Sequence, residues 1–226
     1  MAWSCHGLTN IHLCENLRKE NIISNENVFN AMSKTDRAFY ANNPATAHKD
    51  CPQYLGHGAT ISAPHMHAYA LELLHDQIMK TNARILDVGS GSGYLLAAFK
   101  RMNPNSQVIG IEHIPELAEK SIKNLQKDDN FDQKVKVICG DGRNPNPEIS
   151  GKFDVIHVGA APPEIPKFLK DILNENGRMV IPVGTDYQRY LQLDKDEMGQ
   201  ITEEKIMMVQ YVPLTSVEHQ LSREVD

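Results

Sequence analysis

The sequence predicts a doubly wound α/β fold with a mainly parallel sheet, extra helices at the N-terminus and an antiparallel hairpin at the C-terminal end. Three observations predict it. From about residue 83 to residue 183, short apolar runs alternate with segments of helical period, the pattern of a parallel sheet covered on both faces. The first run, Arg84-Ile85-Leu86-Asp87-Val88, ends in an acid and a Gly-Ser-Gly-Ser-Gly turn before an apolar helix pattern begins. After residue 188 the pattern changes to two strand-like runs with no helix between them.

Taken in order, the elements are these. Leu13, Cys14 and Leu17 share one face of a helix over about 10–19, and Val28, Ala31 and Met32 mark a second after Ser24. Periodicity then disappears from 41 to 60, where Asn42-Asn43-Pro44, Cys51-Pro52 and Gly56-His57-Gly58 are turn and loop chemistry. A loop of that length is often functional. Ser62-Ala63-Pro64 starts a helix carrying Ala68, Leu71, Leu74 and Ile78. Strand 83–88 precedes a helix ending near Met102, and strand 107–112 precedes a helix over 115–127. Strand 134–139 ends at Gly140-Asp141-Gly142. Strand 153–158 precedes a helix near 163–173, and 177–183 is a further strand. Runs 189–193 and 205–212, joined around Glu197-Met198-Gly199, form the hairpin.

Composition narrows the function classes. At 226 residues and 41% hydrophobic content the chain can bury a sizeable core, so one domain is expected, with helices over 1–80 and the sheet and hairpin over 81–226. A formal net charge of −6 with mixed signs argues against a general nucleic-acid binder. Cys5, Cys14, Cys51 and Cys139 show no Cys-x-x-Cys pair and no zinc spacing, so reduced thiols and no metal are expected. The start lacks a signal-peptide pattern, and no apolar run is long enough to span a bilayer. A cytosolic monomer without a membrane partner is the expectation.

The chemistry gathers where the strands end, because ligands of open α/β sheets sit beyond the carboxyl ends of the strands. Gly89 and Gly91 let the backbone approach a ligand closely. Tyr94 stands where a dinucleotide fingerprint wants its third glycine, which disfavours a pyrophosphate and favours a phosphate-free nucleoside; S-adenosylmethionine (SAM) is the candidate. Glu112, closing the second strand 19 positions beyond Gly93, is placed to accept from both ribose hydroxyls. Asp141-Gly142 reads either as an ordinary turn or as an acid for an adenine amino group beside a glycine that lets the ring lie flat. Asp87 is expected to orient the glycine loop or meet the amino end of a methionine moiety, and Ser92 to offer a hydroxyl or amide donor. Ser62 reads either as an N-cap or as a functional hydroxyl at a helix mouth. His65 and His67 read as polar residues of an exposed first turn, and their spacing does not put them on one helix face for a metal.

The segment ATISAPHMHA over 59–68, with LDVGSGSGYL, VIGIEH, GDGR, HVGAAPP and VPLT, closely resembles the protein-L-isoaspartate (D-aspartate) O-methyltransferases. The resemblance runs from Met1-Ala2-Trp3 to about Gln220. The glycine turn alone marks a SAM-dependent methyltransferase; the 59–68 segment narrows it to the isoaspartyl enzymes. The resemblance implies a methyltransferase sheet and an enzyme that methylates the free α-carboxyl of L-isoaspartyl and D-aspartyl residues in damaged proteins, starting repair through a succinimide. It implies Ser62 as the active-site serine. It implies Ala59, Thr60, Ile61, Ser62, His67, Ser92, Glu112, His113, Asp141, Gly142, Thr215 and Gln220 at cofactor-binding positions, beside the Asp87, Gly89 and Gly91 read from the strand and turn. Damaged proteins and peptides would be its partners.

The chain departs from the family pattern at three places. Glu112 stands where many members have Asp, which keeps the diol chemistry. Residues 45–51 form a different, slightly longer loop, and Thr185-Asp186-Tyr187-Gln188 replaces a glycine-rich turn. Both loops are expected at the rim, where they alter peptide preference without touching the cofactor. Other SAM-dependent carboxyl or small-molecule methyltransferases share the glycine turn but not the 59–68 segment. A non-catalytic SAM-binding module conflicts with an intact Ser62, Glu112 and Asp141, and a dehydrogenase conflicts with Tyr94.

Overall fold

The computed structural model describes residues 5–222; Met1-Ala2-Trp3, where the family resemblance begins, lie outside the described residues. Two helices open the chain, α1 (Asn10–Lys19) and α2 (Glu26–Lys34). Thr9 caps α1 by accepting from His12 N, Arg18 and Lys19 complement the dipole in its last turn, and Leu13, Cys14 and Leu17 are its buried face.

The loop expected over 41–60 is only partly a loop. Residues 53–61 form a small antiparallel sheet, β1 (Gln53–Gly56) and β2 (Ala59–Ile61). His57 and Gly58 both take positive φ at its turn, the geometry that lets two residues reverse a hairpin. The strands are too short for any alternation to register in the sequence. Helix α3 (Pro64–Ile78) follows.

The main sheet then alternates strand and helix: β3 (Arg84–Val88), α4 (Tyr94–Met102), β4 (Gln107–Glu112), α5 (Pro115–Lys127), β5 (Val135–Cys139), β6 (Phe153–Val158), α6 (Lys167–Asp171) and β7 (Leu173–Val183). The helix expected near 163–173 is one short turn-and-a-half, because β7 begins at Leu173, ahead of the expected residue 177. The hairpin is β8 (Gln188–Lys195) and β9 (Ile201–Val209); β9 ends before residue 212, since the chain leaves the sheet there. A last helix, α7 (Val217–Ser222), was not anticipated.

Strand order is β5-β4-β3-β6-β7-β8-β9, with β5 to β7 parallel and β8 and β9 antiparallel. The chain steps outward from β3 to β5 and then returns to the other side of β3 with β6. The crevice at that reversal is where ligands of such sheets bind. Alternating side chains of one strand serve two cores: Ile85 packs with the helices on one face, Leu86 with Ile156, Leu169 and Ile181 on the other.

A partly buried ion pair fastens the N-terminal segment to this frame. Asp128, at the end of α5, accepts from Tyr40 Oη at 2.5 Å and Arg101 Nη1 at 2.7 Å, while Arg101 also donates to Thr35 Oγ1 at 3.1 Å. Asp128→Ala removes the acceptor of the Tyr40 phenol and one acceptor of Arg101, which keeps Thr35 Oγ1 and the backbone carbonyl of residue 128. It is expected to destabilise the protein by about 1–3 kcal/mol, read as a lower denaturation midpoint, and an unchanged midpoint counts against this account.

Candidate active site

The glycine turn sits at the crevice. Gly89 (φ +76°), Gly91 (φ +52°) and Gly93 (φ +85°) all occupy the left-handed region that side-chain-bearing residues avoid. Gly89 N and Ser90 N both donate to Ile111 O, so the loop is hung from the end of β4. Gly91 N donates to Glu112 Oε2 at 3.0 Å, and Ile114 N, at the mouth of α5, donates to Oε1 at 3.0 Å. Glu112 is therefore a buried carboxylate locked in direction, with a lone pair left on each oxygen for two hydroxyl donors. That arrangement fits a ribose.

The opposite wall is shaped by Gly142. A Cβ there would come within 2.4 Å of Val88 Cγ1, so any larger residue would fill the slot between β3 and β5. Gly159 and Ala160, following β6, complete the floor. Ala59, Thr60, Gly89, Gly91, Glu112, His113, Gly142, Thr215 and Gln220 all line this one cleft, with Val88, Ile111 and the run from Val212 to Leu214 supplying apolar surface. A slot flanked by aliphatic side chains with a buried diol acceptor at one end suits an adenine nucleoside.

Over the cleft lies a strap. Gln220 on α7 donates through Nε2 to His57 O at 2.7 Å, in the β1–β2 turn, and its Oε1 lies 2.8 Å from His113 Nε2. One amide thus ties the C-terminal helix, the small hairpin and the end of β4 together.

Ser62 faces a second, larger cavity of about 850 Å³, walled by Pro52, His65, Met66, Tyr69, Met207 and Tyr211 among others. Thr60, Val212, Pro213 and Gln220 line both spaces, so the two adjoin. Ser62 does not cap α3: the N-cap is Ala63, and its side chain makes no capping bond. The helix begins one residue later than the cap reading requires, so Ser62 lines the cavity without serving as the cap. His65 is buried instead of exposed; Asp50 Oδ1 accepts from its backbone N at 3.0 Å and lies 2.7 Å from Nδ1.

Several expected positions sit elsewhere. His67 is buried beneath the glycine loop, stacked on Tyr94 with centroids 4.6 Å apart and its Nδ1 3.5 Å from Arg37 Nη1. Burial, then the neighbouring Arg37 cation, holds its pKa well below the usual histidine range, so the ring is a neutral acceptor. The exposed-turn reading of His67 is corrected accordingly. Asp87 points across the sheet, where its Oδ1 lies 2.6 Å from His157 Nδ1 on the paired strand β6. Asp141 is held by Arg143 in a fork at 2.6–3.1 Å, and that cation pulls its carboxyl below the usual range. Ser92 is buried, with its carbonyl accepting from Asn124 Nδ2. Ile61 packs in the core. Among the described residues, no cluster of His, Cys, Asp and Glu could hold a metal ion, and no helix is long and apolar enough to cross a membrane.

Residue-by-residue sequence reading placed Gly159 at the rim but missed Ala160, Val212, Pro213 and Leu214 as lining, although HVGAAPP and VPLT contain them. Their signal was position after a strand, which applies to any strand end.

Glu112 carries a pH prediction. Burial raises its pKa, and the N–H groups of Ile114 and Gly91 with nearby His113 only partly offset this. Hydroxyls of a nucleoside bind best to the ionised form. Affinity for SAM is therefore full above the raised pKa and falls as pH drops through it, at less acidic pH than the ordinary carboxylate value near ~4.3. Equilibrium dialysis across a pH series checks this; an affinity flat down to the ordinary carboxylate range contradicts it.

The comparisons with known proteins agree in one family. Residues 8–219 match the model of protein-L-isoaspartate(D-aspartate) O-methyltransferase (PCMT). A Caenorhabditis elegans protein-L-isoaspartate O-methyltransferase is 43% identical, covering 99% of this chain and 100% of its own. Arabidopsis thaliana protein-L-isoaspartate O-methyltransferase 1 is 42% identical over 97% of each. A crystal structure described as a Plasmodium falciparum β-aspartate methyltransferase in complex with S-adenosyl-L-homocysteine superposes with a TM-score of 0.83 at 37% identity, covering 92% of this chain and 98% of that one. With this crevice, this glycine turn and a match over nearly its whole length, the chain belongs to the protein-L-isoaspartate(D-aspartate) O-methyltransferase family.

Proposed function

We propose that the chain transfers a methyl group from SAM to the free α-carboxyl of L-isoaspartyl and D-aspartyl residues in damaged proteins, with Ser62 positioning the acceptor. One observation carries the reading: the nucleoside cleft and the Ser62 cavity share Thr60, Val212, Pro213 and Gln220, so donor and acceptor meet across one wall. Bound SAM supplies an electrophilic methyl on a sulfonium. Glu112 would hold its ribose, Gly142 and Ile111 its base, and the Gly89–Gly91 backbone and Thr60 the rest.

The acceptor is already ionised at neutral pH, so no strong general base is needed. What the chain supplies is direction. Holding the reacting groups at near-attack geometry contributes roughly 7–11 kcal/mol. Ser62 donates to one carboxylate oxygen, the α3 N-terminus beside it adds partial positive charge, and Met66, Met207 and Tyr69 keep the wall apolar. The Gln220 strap is the element that opens to admit the cofactor and closes on it. The acidic net charge favours proteins over nucleic acid as the partner class.

The test pairs an isoaspartyl peptide with its normal aspartyl twin and labelled SAM. Base-labile label is expected in the first peptide only. Equal labelling of both, or of neither with label entering a small carboxylic acid, overturns the substrate assignment.

A further inference from the structure

The mouth of a helix leaves its first amides without intrahelical partners, and a serine just ahead of it ordinarily takes one of them. At α3 that work is done from elsewhere. Asp50 is fully buried and lies 15 residues before His65. Its Oδ1 accepts from His65 N at 3.0 Å and lies 2.7 Å from His65 Nδ1. Pro64 has no N–H, and Met66 N and His67 N both donate to Ala63 O, at 3.0 and 3.2 Å. The first turn of α3 is therefore satisfied without Ser62.

Asp50 is itself held. Its N donates to His6 Nδ1 at 2.8 Å, and Gly7 N donates to His48 O at 3.0 Å. The buried Arg37 donates through Nη2 to Cys51 O at 3.4 Å. Residues 48–51 are thus pinned by the N-terminal segment and by a buried cation. The 45–51 loop, which the sequence places at the rim, reaches the mouth of α3 through this one carboxylate. His65 and Met66, on the turn that Asp50 caps, wall the acceptor cavity together with Ser62. Asp50 lines neither that cavity nor the nucleoside cleft.

We propose that Asp50 is a positioning residue for Ser62: a remote cap on α3 that takes His65 N and so keeps the Ser62 oxygen out of the cap, in the wall where the acceptor carboxylate binds. Without Asp50, His65 N loses its acceptor. Ser62 stands three residues before it, the spacing at which a serine caps a helix. A hydroxyl drawn back to the helix mouth no longer aims the acceptor. The assignment deepens the isoaspartyl reading and rests on it. Asp50 itself touches neither reacting atom.

The test is a double-mutant cycle on the full chain with an isoaspartyl peptide. Asp50→Ala is expected to lower kcat about 5–50-fold, with SAM affinity within about twofold. Asp50→Asn, whose carbonyl still accepts from His65 N, is expected to recover most of that loss. In a Ser62→Ala background Asp50→Ala is expected to cost about twofold or less, because the group it acts through is gone. A merely structural role gives a different pattern: equal losses in both backgrounds, or SAM affinity falling in step with kcat. Either result overturns the proposal, as does wild-type kcat in Asp50→Ala or an Asp50→Asn no better than Asp50→Ala. One arm needs no Asp50 variant. Hydrogen exchange at the His65 amide is expected to be as slow in Ser62→Ala as in wild type, and faster exchange there refutes the remote cap. If Ser62→Ala keeps wild-type turnover, the reading of Ser62 fails and Asp50 falls with it; if Ser62→Ala loses turnover and Asp50→Ala does not, only the Asp50 assignment fails.

Discussion

Replacing Glu112 with Ala is expected to weaken SAM binding by about 100-fold or more. Each hydrogen bond from a ribose hydroxyl to a charged acceptor is worth about 1.5–3 kcal/mol, and two are lost together, while every 1.4 kcal/mol is tenfold in affinity. The same substitution releases Gly91 N and Ile114 N, so the glycine loop also loses its tether to the end of β4. Glu112→Gln is nearly as damaging for a different reason. Its amide nitrogen would face one of those N–H groups, donor against donor, and one ribose hydroxyl would lose its acceptor. Glu112→Asp keeps the charge and is expected to retain most of the affinity. Equilibrium dialysis with labelled SAM separates the three, and an alanine variant that binds within a few-fold of wild type contradicts the ribose assignment.

Ser62→Ala is expected to lower kcat for isoaspartyl peptide by about 10–100-fold, the value of one hydrogen bond to a charged group, with SAM affinity within about twofold. The geometry predicts this split. Ser62 lines the acceptor cavity and not the nucleoside cleft, and it caps nothing, so removing its oxygen leaves α3 intact. Steady-state kinetics beside a binding measurement reads it directly. Equal losses in turnover and SAM affinity would instead place the hydroxyl on the cofactor.

The parts of this site that were legible in the sequence are those where backbone geometry dictates residue type. Gly89 and Gly91 are required by positive φ, and Glu112 follows from its place at the end of the adjacent strand. Strand-and-helix alternation placed the sheet for a similar reason, since burial on both faces forces apolar runs. Asp87 and His67 were harder to read because their partners, His157 and Arg37, lie 70 and 30 residues away and become neighbours only through packing. The 53–61 hairpin was hidden by strands too short to show a period.

Everything in the site presupposes that the crevice beside Glu112 takes the nucleoside. Calorimetric titration of the purified protein with S-adenosylhomocysteine measures that without depending on any peptide. The account predicts saturable heat at one ligand per chain, lost in Glu112→Ala. No heat with either S-adenosylhomocysteine or SAM would contradict it.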